Sequence, residues 1–218
     1  GGGQNSNPFV KKFGARFTIG MKTPDAPELD RWIPYVLYQQ EFMRLLELMA
    51  LVGAQPTIHE PLFCVVPRDH ADLRAALPEL HAPYVVIHAG ASDGRRRWSP
   101  ERFAQVADTL AARGYQIVLT GVDYERAVIA AVEGQMQAAA INAVESLSIG
   151  ALAALLECAA LVISNDTGPL HLADAVKTPN VGVFWCGNYF NWAHLGRSRH
   201  RPLISWTTHC PACGTDMM

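Results

Sequence analysis

The regular alternation of short apolar runs with amphipathic stretches from Tyr84 onward constrains this chain more than any other feature. Tyr84-Val85-Val86-Ile87-His88 is a β-branched run of strand length, bounded by a glycine-containing loop, and reads as a buried strand. Ser99 as N-cap and Pro100 at the first helical position then open a helix. Its Phe103, Val106, Ala107 and Leu110 recur at i, i+3, i+4 and i+7 until Gly114. The cycle repeats, with strands expected over 115–120, 138–143, 161–164 and 180–185. Helices lie between them over 124–132, after a Ser148 cap with Leu152, Leu155 and Leu156, and over 169–176. Strands separated by helices cannot pair as hairpins. The pattern therefore predicts a parallel sheet with right-handed crossovers, an α/β Rossmann-like domain.

The first 83 residues break this rhythm. Residues 11–33 are rich in Pro, Gly and charge, and a helix over 40–52 follows with an apolar stripe of Phe42, Leu45, Leu46 and Met49. One more strand is expected over 62–66, one more helix over 69–77, and a linker over 78–83. The expected division is 1–83, the end of a preceding domain with its connection, and 84–218, a complete domain with a tail. A chain that opens on Gly1 and closes on Met217-Met218 reads as a piece of a longer protein.

With 218 residues, half of them apolar, the chain buries a core without staples. The longest apolar stretches are interrupted by Arg44, Glu47 or Glu157 and fall short of a bilayer span, so at most peripheral membrane contact is expected. No export signal is visible at the start, and five scattered cysteines suit a reducing compartment; the expected location is the cytoplasm. Eighteen Lys and Arg against 20 Asp and Glu give a net charge of −2, which offers no global field for nucleic acid. Any anion site must be local.

If the five strands take the order 3-2-1-4-5, the topological switch falls between the first and the fourth, and ligands bind beyond the carboxyl ends of the strands there. Two loops meet at that point, 88–98 with Arg95, Arg96 and Arg97, and 165–171 with Asn165, Asp166, Thr167, Gly168, Pro169 and His171. Thr167 can cap the helix and Gly168 lets a ligand approach the backbone. Pro169 leaves the amides of Leu170 and His171 facing outward, and a diphosphate fits there. A helix dipole contributes about 0.3–1 kcal/mol. A charge-assisted hydrogen bond contributes roughly 1.5–3 kcal/mol, so an arginine outweighs the dipole. The bland alternative for the triplet is a solvated turn. Cys210 and Cys213 have the spacing of a zinc half-site without a second pair downstream, so no metal is expected there, with a lost downstream ligand as the alternative.

The segments around His88–Phe103, Leu119-Thr120-Gly121 and Asn165-Asp166-Thr167-Gly168-Pro169-Leu170-His171-Leu172-Ala173 resemble glycosyltransferase family 9, whose best-known members are lipopolysaccharide heptosyltransferases. The resemblance implies a GT-B architecture of two Rossmann-like domains, this chain supplying the C-terminal, donor-binding one with a remnant of the N-terminal, acceptor-side one. It implies that Ser92, Arg97, Thr167, Gly168 and His171 line the donor-phosphate pocket, with Arg97 standing where lysine is common. Asp166 falls near the sugar or the pocket rim, and Gly121 with residues 144–147 near the nucleoside. The implied reaction is inverting, metal-independent transfer of a sugar, heptose from ADP-heptose, to a glycolipid or oligosaccharide acceptor, with no cofactor. The general base is implied in an upstream region, so no catalytic base is expected in this chain and transfer by it alone is not expected. A nucleotide-sugar epimerase of the same shape and a non-catalytic nucleotide-binding domain are the competing readings.

Overall fold

Four apolar residues and a buried histidine, Tyr84–His88, form a strand buried on both faces, the center of the sheet from which the rest of the domain is built. The structure, a computed structural model, describes residues 2–210 and 212–216; Gly1, Pro211, Met217 and Met218 lie outside them. The chain packs as two units, Gly1–Glu60 with Phe190–Trp192, and Pro61–Tyr189 with Ala193–Met218.

The first unit holds helix α1 (Ser6–Lys11), strands β1 (Ile19–Lys22) and β2 (Arg31–Pro34), which pair in parallel, and helix α2 (Glu41–Ala50). The expected apolar stripe of α2 is not its most buried side: Leu45 and Met49 are about half exposed, whereas Arg44 is buried. Burial of the guanidinium is offset at its two Nη atoms by Glu41 and the carbonyls of Val36 and Gln39, and by the Tyr35 ring at 4.4 Å, while its Nε is buried without a hydrogen-bond partner among the described residues.

The second unit begins with α3 (Pro67–Ala76) and continues through β3 (Tyr84–His88), α4 (Pro100–Ala111), β4 (Gln116–Leu119), α5 (Arg126–Glu133) and β5 (Ala140–Asn142). It then runs through α6 (Ile149–Glu157), β6 (Leu161–Asn165), α7 (Gly168–Ala175), β7 (Asn180–Trp185), α8 (Cys186–Trp192), of which Phe190–Trp192 fall to the first unit, and β8 (His200–Ser205). The sheet is wholly parallel in the order β5-β4-β3-β6-β7-β8, a Rossmann-like α/β fold whose strand order reverses between β3 and β6, as expected. Side-chain alternation sends Tyr84 and Val86 to a layer with Leu73, Leu155 and Leu156, and Val85 and Ile87 to a layer with Phe103, Ile129 and Val132. Helices thus cover both faces. Gly114 ends α4 at a φ of 90°, a conformation glycine reaches without a Cβ clash, and the Ser148 hydroxyl accepts the Ala151 amide at 3.2 Å.

Four expectations are corrected. Residues 62–66 form no strand; they lie between Pro61 and Pro67, and the Phe63 amide donates to the Ala175 carbonyl instead. Helix α3, read with the first segment, packs in the second unit, where Leu73 and Leu77 join the core. Residues 188–201, which lie beyond the expected elements, contain most of α8 and the start of β8. Ser99 stands at the N-cap of α4 without a capping hydrogen bond from its side chain. No helix among the described residues is long and apolar enough to cross a membrane.

Candidate functional site

The loops that follow β3 and β6 leave the same edge of the sheet, and one side chain ties them together. Asn165, the last residue of β6, is fully buried. Its Nδ2 donates to the Ala89 carbonyl at 2.8 Å and to that of Gly90 at 3.3 Å, while its Oδ1 accepts the Trp98 amide at 3.0 Å. Both ends of the arginine loop are therefore held by one residue that must both donate and accept, which an amide does and a carboxylate does not. Trp98 stands edge-on to Phe103 at 5.1 Å and fixes the loop exit against α4.

A buried polar cluster supports the loop from below. His88 Nδ1 lies 3.1 Å from the Thr120 hydroxyl, and its Nε2 lies 3.5 Å from the Glu125 carboxylate. Burial alone raises the Glu125 carboxyl, but the hydrogen bond and charge of His88, the Val122 amide and the Arg97 charge outweigh it and hold the group below its ordinary range. Gly90 leaves room for this carboxylate, since a Cβ there would meet its atoms at 2.2–2.5 Å.

The three arginines have three different fates. Arg95 is 88% exposed and paired with Asp93, whose carboxyl is brought down to about 2 by the Arg95 hydrogen bond. Arg97 donates Nε and Nη2 to the Ala91 carbonyl at 2.9 and 2.7 Å. The Arg96 side chain makes no hydrogen bond or ion pair among the described residues, its amide bonding the Asp93 carbonyl at 3.0 Å. All three arginines line a cleft of about 500 Å³ with Trp98, Trp185, Asn188 and Ser205, between the arginine loop and the carboxyl ends of β7 and β8.

At the start of α7 the arrangement differs from expectation. Thr167 occupies the N-cap, but its side chain makes no capping bond, and its carbonyl takes the amides of Leu170 at 3.0 Å and His171 at 3.4 Å. Those two amides are therefore spent inside the turn. The amides of Thr167 and Gly168 have no acceptor among the described residues and are the ones left for a ligand. Asp166 is buried, accepts Asn188 Nδ2 at 2.8 Å and lies 3.3 Å from His171 Nε2. Asn188 also lines the cleft, so it connects Asp166 to that space.

Behind His171 the contacts continue. His171 Nδ1 is 3.1 Å from His194 Nε2, and His194 Nδ1 is 3.3 Å from Asp174 Oδ1, at an angle off the line of an ideal hydrogen bond. His200 stacks on His194 at 4.1 Å, with its Nδ1 bonded to Asn180 Oδ1 and its Nε2 buried without a partner. Burial, then the His194 charge, pushes His200 down to about 4. Burial would raise Asp174, but His194, Lys177 and His200 together hold it below its ordinary value.

Of the residues expected at a ligand, Arg97 lines the cleft, and Thr167, Gly168 and His171 stand together at the start of α7. Ser92 is exposed in the arginine loop, without a hydrogen bond among the described residues and off the cleft lining. Gly121 follows β4, where its carbonyl accepts the Glu145 amide at 3.1 Å, so the two stretches expected at a nucleoside are neighbors. Cys210 and Cys213 sit in a turn closed by the Gly214 amide on the Cys210 carbonyl at 2.8 Å, and bonds from Thr215 lower the Cys213 thiol to about 7. Among the described residues they gain no third ligand at metal spacing; the one trio at such spacing is His70, Glu157 and Cys158. The sequence reading did not find Asn165 as a clasp, the His88–Glu125 support, or the partners Asn188, His194 and Asp174. Only Asn165 carried a signal, as a buried-strand amide beside the switch point.

Comparison with known proteins places this geometry in a family. Glycosyltransferase family 9 (heptosyltransferase) matches residues 38–208. Lipopolysaccharide heptosyltransferase 3 of Escherichia coli is 34% identical over 112 residues, 50% of this chain and 33% of that protein. Lipopolysaccharide heptosyltransferase 2 of Salmonella typhimurium is 29% identical over 107 residues, 47% of this chain and 31% of that protein. The chain spans about a third of the curated relatives it matches. A family 9 glycosyltransferase from Veillonella parvula shares the fold with a TM-score of 0.76 at 21% identity, over 92% of this chain and 59% of that one. An Escherichia coli heptosyltransferase solved with ADP gives 0.55 at 20% identity, over 81% and 52%. With the family match running through both switch-point loops, the chain belongs to glycosyltransferase family 9, the heptosyltransferases.

Proposed function

We propose that this chain is the donor-binding half of an inverting, metal-independent glycosyltransferase that uses a nucleotide-diphosphate sugar, ADP-heptose, and a lipopolysaccharide or other glycan acceptor. The observation that carries the reading is the clasped pair of loops, with Arg96 and Arg97 on the cleft and two acceptor-free amides at the start of α7. An acceptor hydroxyl oxygen attacks the anomeric carbon, the bond from that carbon to the phosphate oxygen breaks, and the nucleoside diphosphate leaves with the electron pair. Arginine guanidinium groups and backbone amides aimed at that oxygen stabilize its growing charge. The acceptor proton goes to a base outside the site residues named here, so transfer by this chain alone is not expected. The first unit belongs, in this reading, to the acceptor-side half. Support comes from the family match and from relatives solved with ADP and with an ADP-heptose analog.

Calorimetry with ADP, UDP, CDP and GDP, with and without magnesium, tests the proposal. ADP is expected to bind without the metal. Arg96→Ala and Arg97→Ala are each expected to weaken it by about 1.5–3 kcal/mol, and Arg95→Ala, already neutralized by Asp93, to change little. Binding that requires magnesium, or no nucleotide binding at all, would overturn the reading, and a UDP preference would favor the epimerase.

A further inference from the structure

The candidate site has a second layer that the reaction just described does not use. Resting on that functional reading, we infer that His194, backed by Asp174, is a positioning residue that fixes the ring of His171 beside the anion site. His171 is about one-third exposed, whereas the His194, Asp174 and Asp166 side chains are nearly buried, so the ring at the surface is held from the interior.

The order of groups is Asp166, His171, His194, Asp174, with separations of 3.3, 3.1 and 3.3 Å. A ring-to-ring N···N contact of this length holds one proton between two nitrogens. Asp174 keeps its charge and faces His194 Nδ1, which favors the proton on that nitrogen and leaves Nε2 as the acceptor. His171 must then donate from Nδ1, and it presents Nε2 to Asp166. The consequence is positional: Asp166 is a buried carboxylate beside a site proposed for a diphosphate, and the His171 ring is held 3.3 Å from it. His200 on β8 closes the interior side by stacking on His194, and Lys177, at the end of α7, adds its charge to Asp174.

Ring-nitrogen proton correlations in the 218-residue chain, together with ADP titration, test this. His171 is expected to show a protonated Nδ1, a state lost in His194→Phe. His194→Phe should weaken ADP by roughly 5- to 10-fold, the worth of one hydrogen bond. His194→Gln, whose amide oxygen reaches the same place as Nε2, should remain within about twofold of the unaltered chain. Unfolding midpoints accompany each variant, because a merely structural role would lower both variants' stability and spare the Phe/Gln contrast in affinity. Equal ADP affinity in His194→Phe and the unaltered chain, or a His171 protonated only on Nε2, overturns the inference. If the unaltered chain binds no nucleotide, the functional reading falls, and the ring-nitrogen spectrum still decides the positioning.

Discussion

Replacing Asn165 isolates the clasp from everything else at the site. In Asn165→Ala the Ala89 carbonyl, fully buried, loses its main partner, and the half-buried Trp98 amide loses its acceptor. An orphaned buried polar group costs about 1–3 kcal/mol, and one that water reaches costs less, so the total is about 2–4 kcal/mol. At a urea dependence of roughly 2 kcal/mol/M the unfolding midpoint falls by about 1–2 M. Asn165→Asp has the same shape and a different outcome. Its carboxylate still accepts the Trp98 amide, but it turns an anion toward the Ala89 and Gly90 carbonyls where a donor belongs. At neutral pH it should be less stable than the alanine variant. A proton on the acid restores a donor, so the carboxyl's folded-state pKa is raised above its unfolded value. The stability is present at low pH and lost as pH rises through the raised pKa. Urea unfolding followed by far-UV circular dichroism between pH 4 and 8 measures both. A loss below about 1 kcal/mol in the alanine variant, or an aspartate variant more stable than it at pH 7, would refute the clasp.

Two further outcomes follow from the same structure. Gly90→Ala places a methyl within 2.2–2.5 Å of the Glu125 carboxylate and should cost about 1–3 kcal/mol, with Glu125→Gln unable to restore the loss because the amide has the same size; thermal unfolding reads it. His200, driven down to about 4 in the folded chain, takes up a proton more readily when unfolded, so stability is complete above pH 6.5 and falls as pH drops toward 4. The loss is about 2–3 kcal/mol, and His200→Asn should flatten that part of the stability profile; an unchanged slope would remove His200 as its cause.

The central strands and their order were legible because both-sided burial writes itself as apolar runs such as Tyr84–Ile87. Strand β8 was not, because an edge strand is buried on alternate residues only, and His-Arg-Pro-Leu-Ile-Ser carries charge and a proline that an edge tolerates. The arginine loop was legible as a basic turn at the switch point. Which arginine stays unpaired was not, since it depends on Asp93 lying beside Arg95 and on the Ala91 carbonyl capturing Arg97. The chain His171, His194, Asp174 has no periodic signature. Its members come from α7 and from the segment after α8, and only the folded sheet brings them together.

The two walls of the cleft are built to different stiffness. The arginine side is pinned by a buried amide and by Trp98 on α4, whereas the far side ends in β8, an edge strand paired on one side only, with Leu203 about half exposed. Edge elements with few neighbors open at lower free energy than central ones. If the proposed donor enters here, it meets a fixed wall that carries the arginines and a more compliant wall at Ser205 and Thr207. Under the proposed function, differences in the group carried by the donor phosphate would then be absorbed at the edge of the sheet, and substitutions there would alter donor preference without disturbing the clasped loop.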